Sequence, residues 1–498
     1  MASGHLNPSL PIARELRKLG HDVHYVCAEQ MREAIEGTGA TFHDEQEVES
    51  DMFEGRPKDA MEAIESLRKE YGLEGETFMQ SVFQLGNIFH EMKIPGLIRL
   101  LQDLKPAAVV YCPICNLEAA IAAKDQGIPH IGLNTLAGPG AWFHALECIA
   151  KQMHMTLEEF DRKVRDFKPS MEAYKRLQSK YGCFYGDGGI TKPFGRLEHG
   201  AHAAVTLFTT TSEFYDPISP ELHEAFAKDN AKFVALGPLL DQAGAKRAAG
   251  HKSTHHEKAA DDSLSTAELV QRVADARGAG RAVVLASMGT VITGDMDGWG
   301  WRGRSSGADG ELRGLSGKEL CQAAWQGVFD AFGSDEEGPL ILLSLGPQDD
   351  ALDGMTPPAN AICAPVLPQV DLLKAGIDLF LTHGGQNSFT EALSSSTPLV
   401  VCPGFADQPV NAQKAVDMGV GLKVDRPDCD PGQERETVAA YRAEVKSALL
   451  AAFANSSLKA SAAACGKSLQ AAGGVPRAVE IVLAVAKQGD RDAAVGGA

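Results

Sequence analysis

From Thr382 to Ser388 the sequence reads Thr-His-Gly-Gly-Gln-Asn-Ser. An imidazole, an amide and a hydroxyl there surround two glycines, which let a backbone come close to a ligand. The preceding run, Asp378-Leu379-Phe380-Leu381, has the short apolar character of a buried parallel strand. Phe389, Glu391, Ala392 and Leu393 continue as a helix, for which Asn387 and Ser388 are capping types. A helix start offers unpaired N–H groups and the positive end of the dipole, so this turn suits an anion such as a diphosphate. A second strand, Pro398 to Cys402, runs into Pro403-Gly404-Phe405-Ala406-Asp407-Gln408. A carboxylate beside an amide at the carboxyl end of a strand suits sugar hydroxyls, and open α/β sheets bind ligands along that edge.

These pieces, with Pro368-Gln369, Glu391 and Pro398, stand in the order and spacing of a known signature. The stretch from Cys363 to Val424 resembles the nucleotide-sugar motif of the family 1 UDP-glycosyltransferases, whose fold is GT-B. That resemblance implies an α/β protein with two Rossmann-like, doubly wound parallel-sheet domains facing a central cleft. It implies a UDP-sugar as donor substrate, with no further cofactor and no metal. It places His383, Gly385, Asn387 and Ser388 at the diphosphate, Glu391 at the ribose, Gln369 at the nucleoside, and Asp407 and Gln408 at the sugar. Ser287-Met288-Gly289-Thr290, after the strand Ala282 to Ala286, is similar to a further family turn and puts Thr290 at the diphosphate. One position departs: the family usually has an aromatic residue three positions before Gln369, and this chain has Val366.

The amino-terminal half matches the same family at Gly4-His5-Leu6-Asn7-Pro8, its GHxxP motif. The resemblance makes His5 the general base that takes a proton from the acceptor hydroxyl. Imidazole suits that task because its unperturbed pKa lies near working pH. Leu10, Ala13, Leu16 and Leu19 follow at helical spacing, and Val23 to Cys27 reads as a strand. The fold puts another strand before the histidine, in the middle of the first sheet. Four residues cannot supply one, since strands take about five or six, so that element is expected upstream of Met1. The family's aspartate partner for the histidine is also missing: Ala107 to Tyr111 is followed by Cys112-Pro113-Ile114-Cys115. A CxxC after a strand and before a helix has the placement of a redox pair, but structural cysteines are the plainer expectation.

Composition limits the alternatives. The chain has 498 residues and a formal charge of −19, which argues against nonspecific binding to nucleic acid. No apolar run approaches the length of a membrane helix, so no integral membrane segment is expected. Ten cysteines without a disulfide pattern suit a reducing, cytoplasmic setting. Residues 1–238 read as an acceptor-binding domain, 239–264 as a polar linker, and 265–487 as the nucleotide-sugar domain. A surface insertion is expected at about 291–316, a last helix packed back on the first domain, and a disordered tail at 488–498. Asp295-Met296-Asp297 and the linker histidines His251, His255 and His256 read as surface features rather than metal ligands. Phe78 to Phe89 and Leu136 to Phe143 are the candidate acceptor-lining segments. The expected activity is inverting transfer of a hexose to a hydroxyl of a small, partly apolar acceptor. The alternatives are a catalytically impaired UDP-sugar-binding protein of the same fold, or a GT-B relative acting on amino-sugar nucleotides.

Overall fold

The computed structural model describes residues 3–182, 203–248, 264–295, 298–306, 312–335 and 337–496. The first half contains β1 (His24–Cys27), β2 (Thr41–Asp44), β3 (Val109–Tyr111), β4 (His130–Asn134), β5 (Val205–Phe208) and β6 (Phe233–Ala235). They form two parallel sheets, β1-β2 and β3-β4-β5-β6, which do not pair with each other among the described residues. The His5 segment is no strand but a short helix, Ser3–Leu6, followed by the helix Leu10–Lys18. The buried face of the latter, including Ile12 and Leu16, packs on Ile131, Leu133 and Leu207 of the four-stranded sheet.

The second half contains β7 (Val283–Ser287), a short antiparallel hairpin of β8 (Ser305–Ser306) and β9 (Leu312–Arg313), then β10 (Leu340–Ser344), β11 (Ala361–Ala364), β12 (Leu379–Thr382), β13 (Leu399–Val401) and β14 (Gly421–Lys423). Its parallel sheet has the order β11-β10-β7-β12-β13-β14. The central strands are apolar on both faces because helices cover both: Val284, Ala286 and Leu381 face one core, and Val283, Leu285 and Phe380 face the other. The chain goes outward from β7 through β10 and β11, then returns to the other side of β7 as β12. That reversal opens a crevice between the carboxyl ends of β7 and β12, where an open α/β sheet takes its ligand.

Three segments differ from their sequence reading. Within 291–316, expected as a surface insertion, Ile292, Trp299, Trp301 and Leu315 are buried. Trp299 stacks on Phe405 with ring centroids 5.0 Å apart, and Trp301 Nε1 donates to Asp350 at 2.7 Å, so aromatic burial anchors the segment. The final helix runs from Gly474 to Gly496, through most of the expected disordered tail, and Ala478, Val479 and Val482 pack on the first domain. Against the expectation of no long apolar run, Ser456–Gln488 is long and apolar enough to cross a membrane by length and mean hydropathy. Here it is broken at Gly473 and Gly474, both with positive φ, and its apolar residues Leu469 and Val479 are buried against the second and first domains respectively. His251, His255, His256 and Asp297 lie outside the described residues.

Candidate active site

The crevice widens into one cleft between the domains, with a cavity volume of about 710 Å³, and His5, Thr290, Gln369, His383, Gly385, Asn387, Ser388, Glu391, Asp407 and Gln408 all line it. On the second domain, β12 delivers Thr382 to the turn His383-Gly384-Gly385, and the helix Gln386–Ser394 begins at once. Gly385 is the N-cap and gives no side-chain cap; Asn387 and Ser388, read as capping types, lie inside the first turn. The first N–H groups are therefore not capped by a side chain of the helix's own and face the cleft. Close backbone approach fixes two glycines. Gly289, at φ +78°, would place a Cβ 2.6 Å from the His383 ring, and a Cβ on Gly385 would come 2.5 Å from His383 Nε2. The turn after β7 can meet His383 only because Gly289 lacks a side chain, and Gly385 leaves room for the same ring within its own turn.

Burial holds the His383 pKa down to about 4, so its imidazole is neutral, and Nδ1 has no hydrogen-bond partner. Both side-chain polar atoms of Gln386 are also buried and unpartnered. Unpartnered polar groups at a helix start retain hydrogen-bonding capacity for a ligand. Asp407 stands at the N-cap position of the neighbouring helix Gln408–Asp417 without a side-chain capping bond, and its carboxylate accepts from Asn411 Nδ2 at 3.2 Å. Burial, then the charge of Asp216, pushes its pKa up to about 6. The Gln408 side-chain oxygen accepts from the Gly404 and Phe405 backbones at 2.8 and 3.2 Å, which fixes the loop before the helix.

On the same wall of the cleft, Gln369 Nε2 donates to Ser388 Oγ at 3.1 Å and to Glu391 at 2.7 Å. The other Glu391 oxygen accepts from Arg247 at 2.7 Å. Arg247 comes from the segment that reads as linker, and the sequence carries no signal that separates it from neighbouring polar residues. It is tied in place because Asn7 exchanges two hydrogen bonds with the Ala248 backbone, at 2.8 and 3.2 Å. Val366 is 57% exposed at the cleft mouth.

His5 faces these second-domain residues from the first domain. Asn387 Nδ2 donates to the Gly4 carbonyl at 2.6 Å, joining the start of the helix Gln386–Ser394 to the residue before His5. The aspartate absent from the sequence is replaced by two other groups. His5 Nδ1 lies 2.9 Å from Thr135 Oγ1 and 3.3 Å from Cys112 Sγ. Burial alone would lower the His5 pKa, but Cys112 and Asp407 more than offset it, and the imidazole sits above its ordinary value. A hydrogen bond from Cys115, and then the nearby His5, hold the Cys112 thiol well below its usual range despite burial. Sequence reasoning missed this trio. Cys112 follows β3 and Thr135 follows β4, so the carboxyl-edge rule would have found both.

Beyond His5 the cleft becomes apolar. Phe78, Met79, Val82 and Phe83 come from the helix Phe78–Leu104, and Leu136 and Trp142 from the second expected segment. Lys93 on this wall lies between Glu49 at 2.9 Å and Glu118 at 3.4 Å, which neutralise it.

Comparison with known proteins agrees with this architecture. Residues 351–429 match the family model described as UDP-glucoronosyl and UDP-glucosyl transferase. The uncharacterized UDP-glucosyltransferase YojK of Bacillus subtilis is 22% identical, over 97% of this chain and 95% of its own length. The NDP-glycosyltransferase YjiC of the same organism is 22% identical, over 98% and 96%. Among solved structures, the glycotransferase of kitacinnamycin superposes with a TM-score of 0.62 at 19% identity, over 97% of this chain and 96% of that one. Glycosyltransferase VinC, solved in complex with DTDP, gives 0.54 at 14% identity, over 98% of each chain.

Proposed function

We propose that this chain, whose matching family model and relatives are UDP-glycosyltransferases and whose fold is GT-B, is a family 1 UDP-glycosyltransferase, an inverting enzyme using a UDP-sugar and a small, partly apolar acceptor bearing a hydroxyl. One observation carries the reading: His5 faces the start of the helix Gln386–Ser394, whose N-cap is a glycine, across a single cleft, tied to it through Asn387 and Gly4.

In this reading the diphosphate lies on the helix start, against His383, Gly385, Asn387, Ser388 and Thr290. Glu391 takes the ribose and Gln369 the nucleoside, while Asp407 and Gln408 hold the sugar. His5 Nδ1 is engaged by Thr135 and Cys112, which leaves Nε2 for the acceptor hydroxyl. As that hydroxyl attacks the anomeric carbon from the face opposite the diphosphate, its proton passes to Nε2 and the sugar–phosphate bond breaks. Configuration at that carbon is inverted. Negative charge gathers on the departing diphosphate, where donors already aimed at it contribute a few kcal/mol each. Arg247 adds a fixed positive charge beside the same region. These groups make a metal unnecessary for departure. The apolar wall and the neutralised Lys93 favour an acceptor without formal charge. The nucleotide base is the least constrained element, because Val366 offers no stacking face; the relative VinC was solved with DTDP.

Isothermal titration with UDP and a transfer assay with UDP-glucose and a panel of hydroxylated aromatics test this function. His5→Ala should keep UDP affinity and lose about 10²–10⁴-fold in transfer. Absence of UDP binding would defeat the proposal, and undiminished transfer by the variant would defeat the role of His5.

A further inference from the structure

The CxxC turn brings two thiols to the one imidazole that the transfer reaction needs. The ligand atoms of His5, Cys112 and Cys115 all lie within 4.8 Å of one another, and none of the three side chains is fully exposed. A tight turn, closed by the Asn116 N–H on the Cys112 carbonyl at 2.9 Å, holds the two cysteines on one side of the histidine. Two thiolates and an imidazole on a tetrahedral zinc stand about 3.5–3.8 Å apart, from bond lengths of about 2.3 Å to sulfur and 2.0–2.1 Å to nitrogen. The Cys112 Sγ to His5 Nδ1 distance is already 3.3 Å. Three protein ligands leave a tetrahedral ion one position, which water can fill from the cleft that His5 and Cys115 both line.

We propose that His5, Cys112 and Cys115 form an inhibitory site for a thiophilic divalent cation of the Zn2+ type, in the wall of the catalytic cleft. Two sulfur ligands select such an ion over Mg2+ or Ca2+, which take oxygen. Binding releases the thiol protons and leaves a site of no net charge. Its effect follows from the nitrogen used. An ion on Nδ1 confines the imidazole proton to Nε2, and a nitrogen carrying a proton cannot accept one from the acceptor. This consequence rests on His5 as base; the site itself does not.

The test uses the full chain, reduced and kept anaerobic, titrated with Co2+ and read by thiolate-to-cobalt charge-transfer absorbance. One equivalent should give the band, Zn2+ should displace it, and Mg2+ should not. Cys115→Ser should weaken cobalt binding by about 100-fold or more, beyond what loss of an outer-shell contact costs, while UDP titration verifies that the variant is folded. In transfer assays Zn2+ should inhibit the wild type, a chelator should reverse it, and Cys115→Ser, measured against its own metal-free rate, should need about 100-fold more Zn2+. No charge-transfer band, or an unchanged band in Cys115→Ser, overturns the site. A band in the wild type with undiminished transfer overturns the inhibition, and with it the role of His5 as base.

Discussion

Lys414 to Met is the perturbation that best tests how the two domains are held around the cleft. Lys414 lies on the helix that begins beside Asp407, and its ammonium donates to Asp216 at 2.5 Å and to the Phe214 carbonyl at 2.7 Å. Both acceptors belong to the first domain. The Asp216 side chain is only 2% exposed and that of Lys414 13%, so this is a buried pair. Removing one partner of such a pair costs about 3–5 kcal/mol, because it strands the other charge in a poorly solvated site. With about 2–4 °C per kcal/mol for domains of this size, the melting temperature should fall by roughly 6–20 °C. Adding Asp216→Asn removes the stranded charge and should recover most of the loss. The single variant also leaves Asp216 uncompensated beside Asp407, whose pKa should climb further above about 6. Calorimetry at neutral pH, with donor titrations across pH, measures both effects. A fall under about 3 °C, the size expected of a surface ion pair, would refute the reasoning. So would a double variant no more stable than the single.

Three further outcomes follow from the site. Gly289→Ala forces a left-handed residue to carry a side chain, at about 1–2 kcal/mol, and drives the His383 ring off the helix start; UDP affinity by calorimetry should fall by about tenfold or more. Val366→Trp supplies the missing stacking face, and at about 1–3 kcal/mol for stacking a base, UDP should bind about tenfold tighter. Asp407 governs a pH effect whose sign is fixed. Its folded pKa, about 6, lies above its ordinary 3.8, so its stability contribution is present below about pH 4 and lost as pH rises through 6. Asp407→Asn should therefore melt higher at pH 7, while the wild-type KM for the sugar donor should rise as pH drops below 6 and UDP affinity stays level.

The second-domain wall of the cleft was legible because its elements are contiguous. Strand, glycine turn and helix start follow one another within Asp378–Leu393, and the observed β12 and helix Gln386–Ser394 fall where the pattern put them. Buried parallel strands such as β7 and β10 announce themselves as short apolar runs, so the sheet was readable too. The rest depended on distance in the chain. Arg247 reaches Glu391 across 144 positions, and Thr135 reaches His5 across 130. No local pattern records the first meeting, and only the position of Thr135 just after β4 hints at the second. Trp299 and Trp301 sit in a glycine-rich run whose composition reads as surface, and burial overrode composition there because the rings found Phe405 and Trp325. Asn387 illustrates a residue type read correctly and a position read incompletely: it sits at the helix start, yet it also grips the Gly4 carbonyl.

The last helix alters what counts as one module. Ala478, Val479 and Val482 share a core with Ile12, Leu16, Ile131 and Leu207, while Leu469, just before the Gly473–Gly474 break, belongs to the core of the second domain. The first domain is therefore assembled from two stretches of this chain that lie far apart in sequence. Recombination that swaps this domain for that of a relative needs two crossover points, one near Pro238 and one at Gly473–Gly474. A single crossover would seat a foreign helix on the native sheet and mismatch the core on which His5 depends.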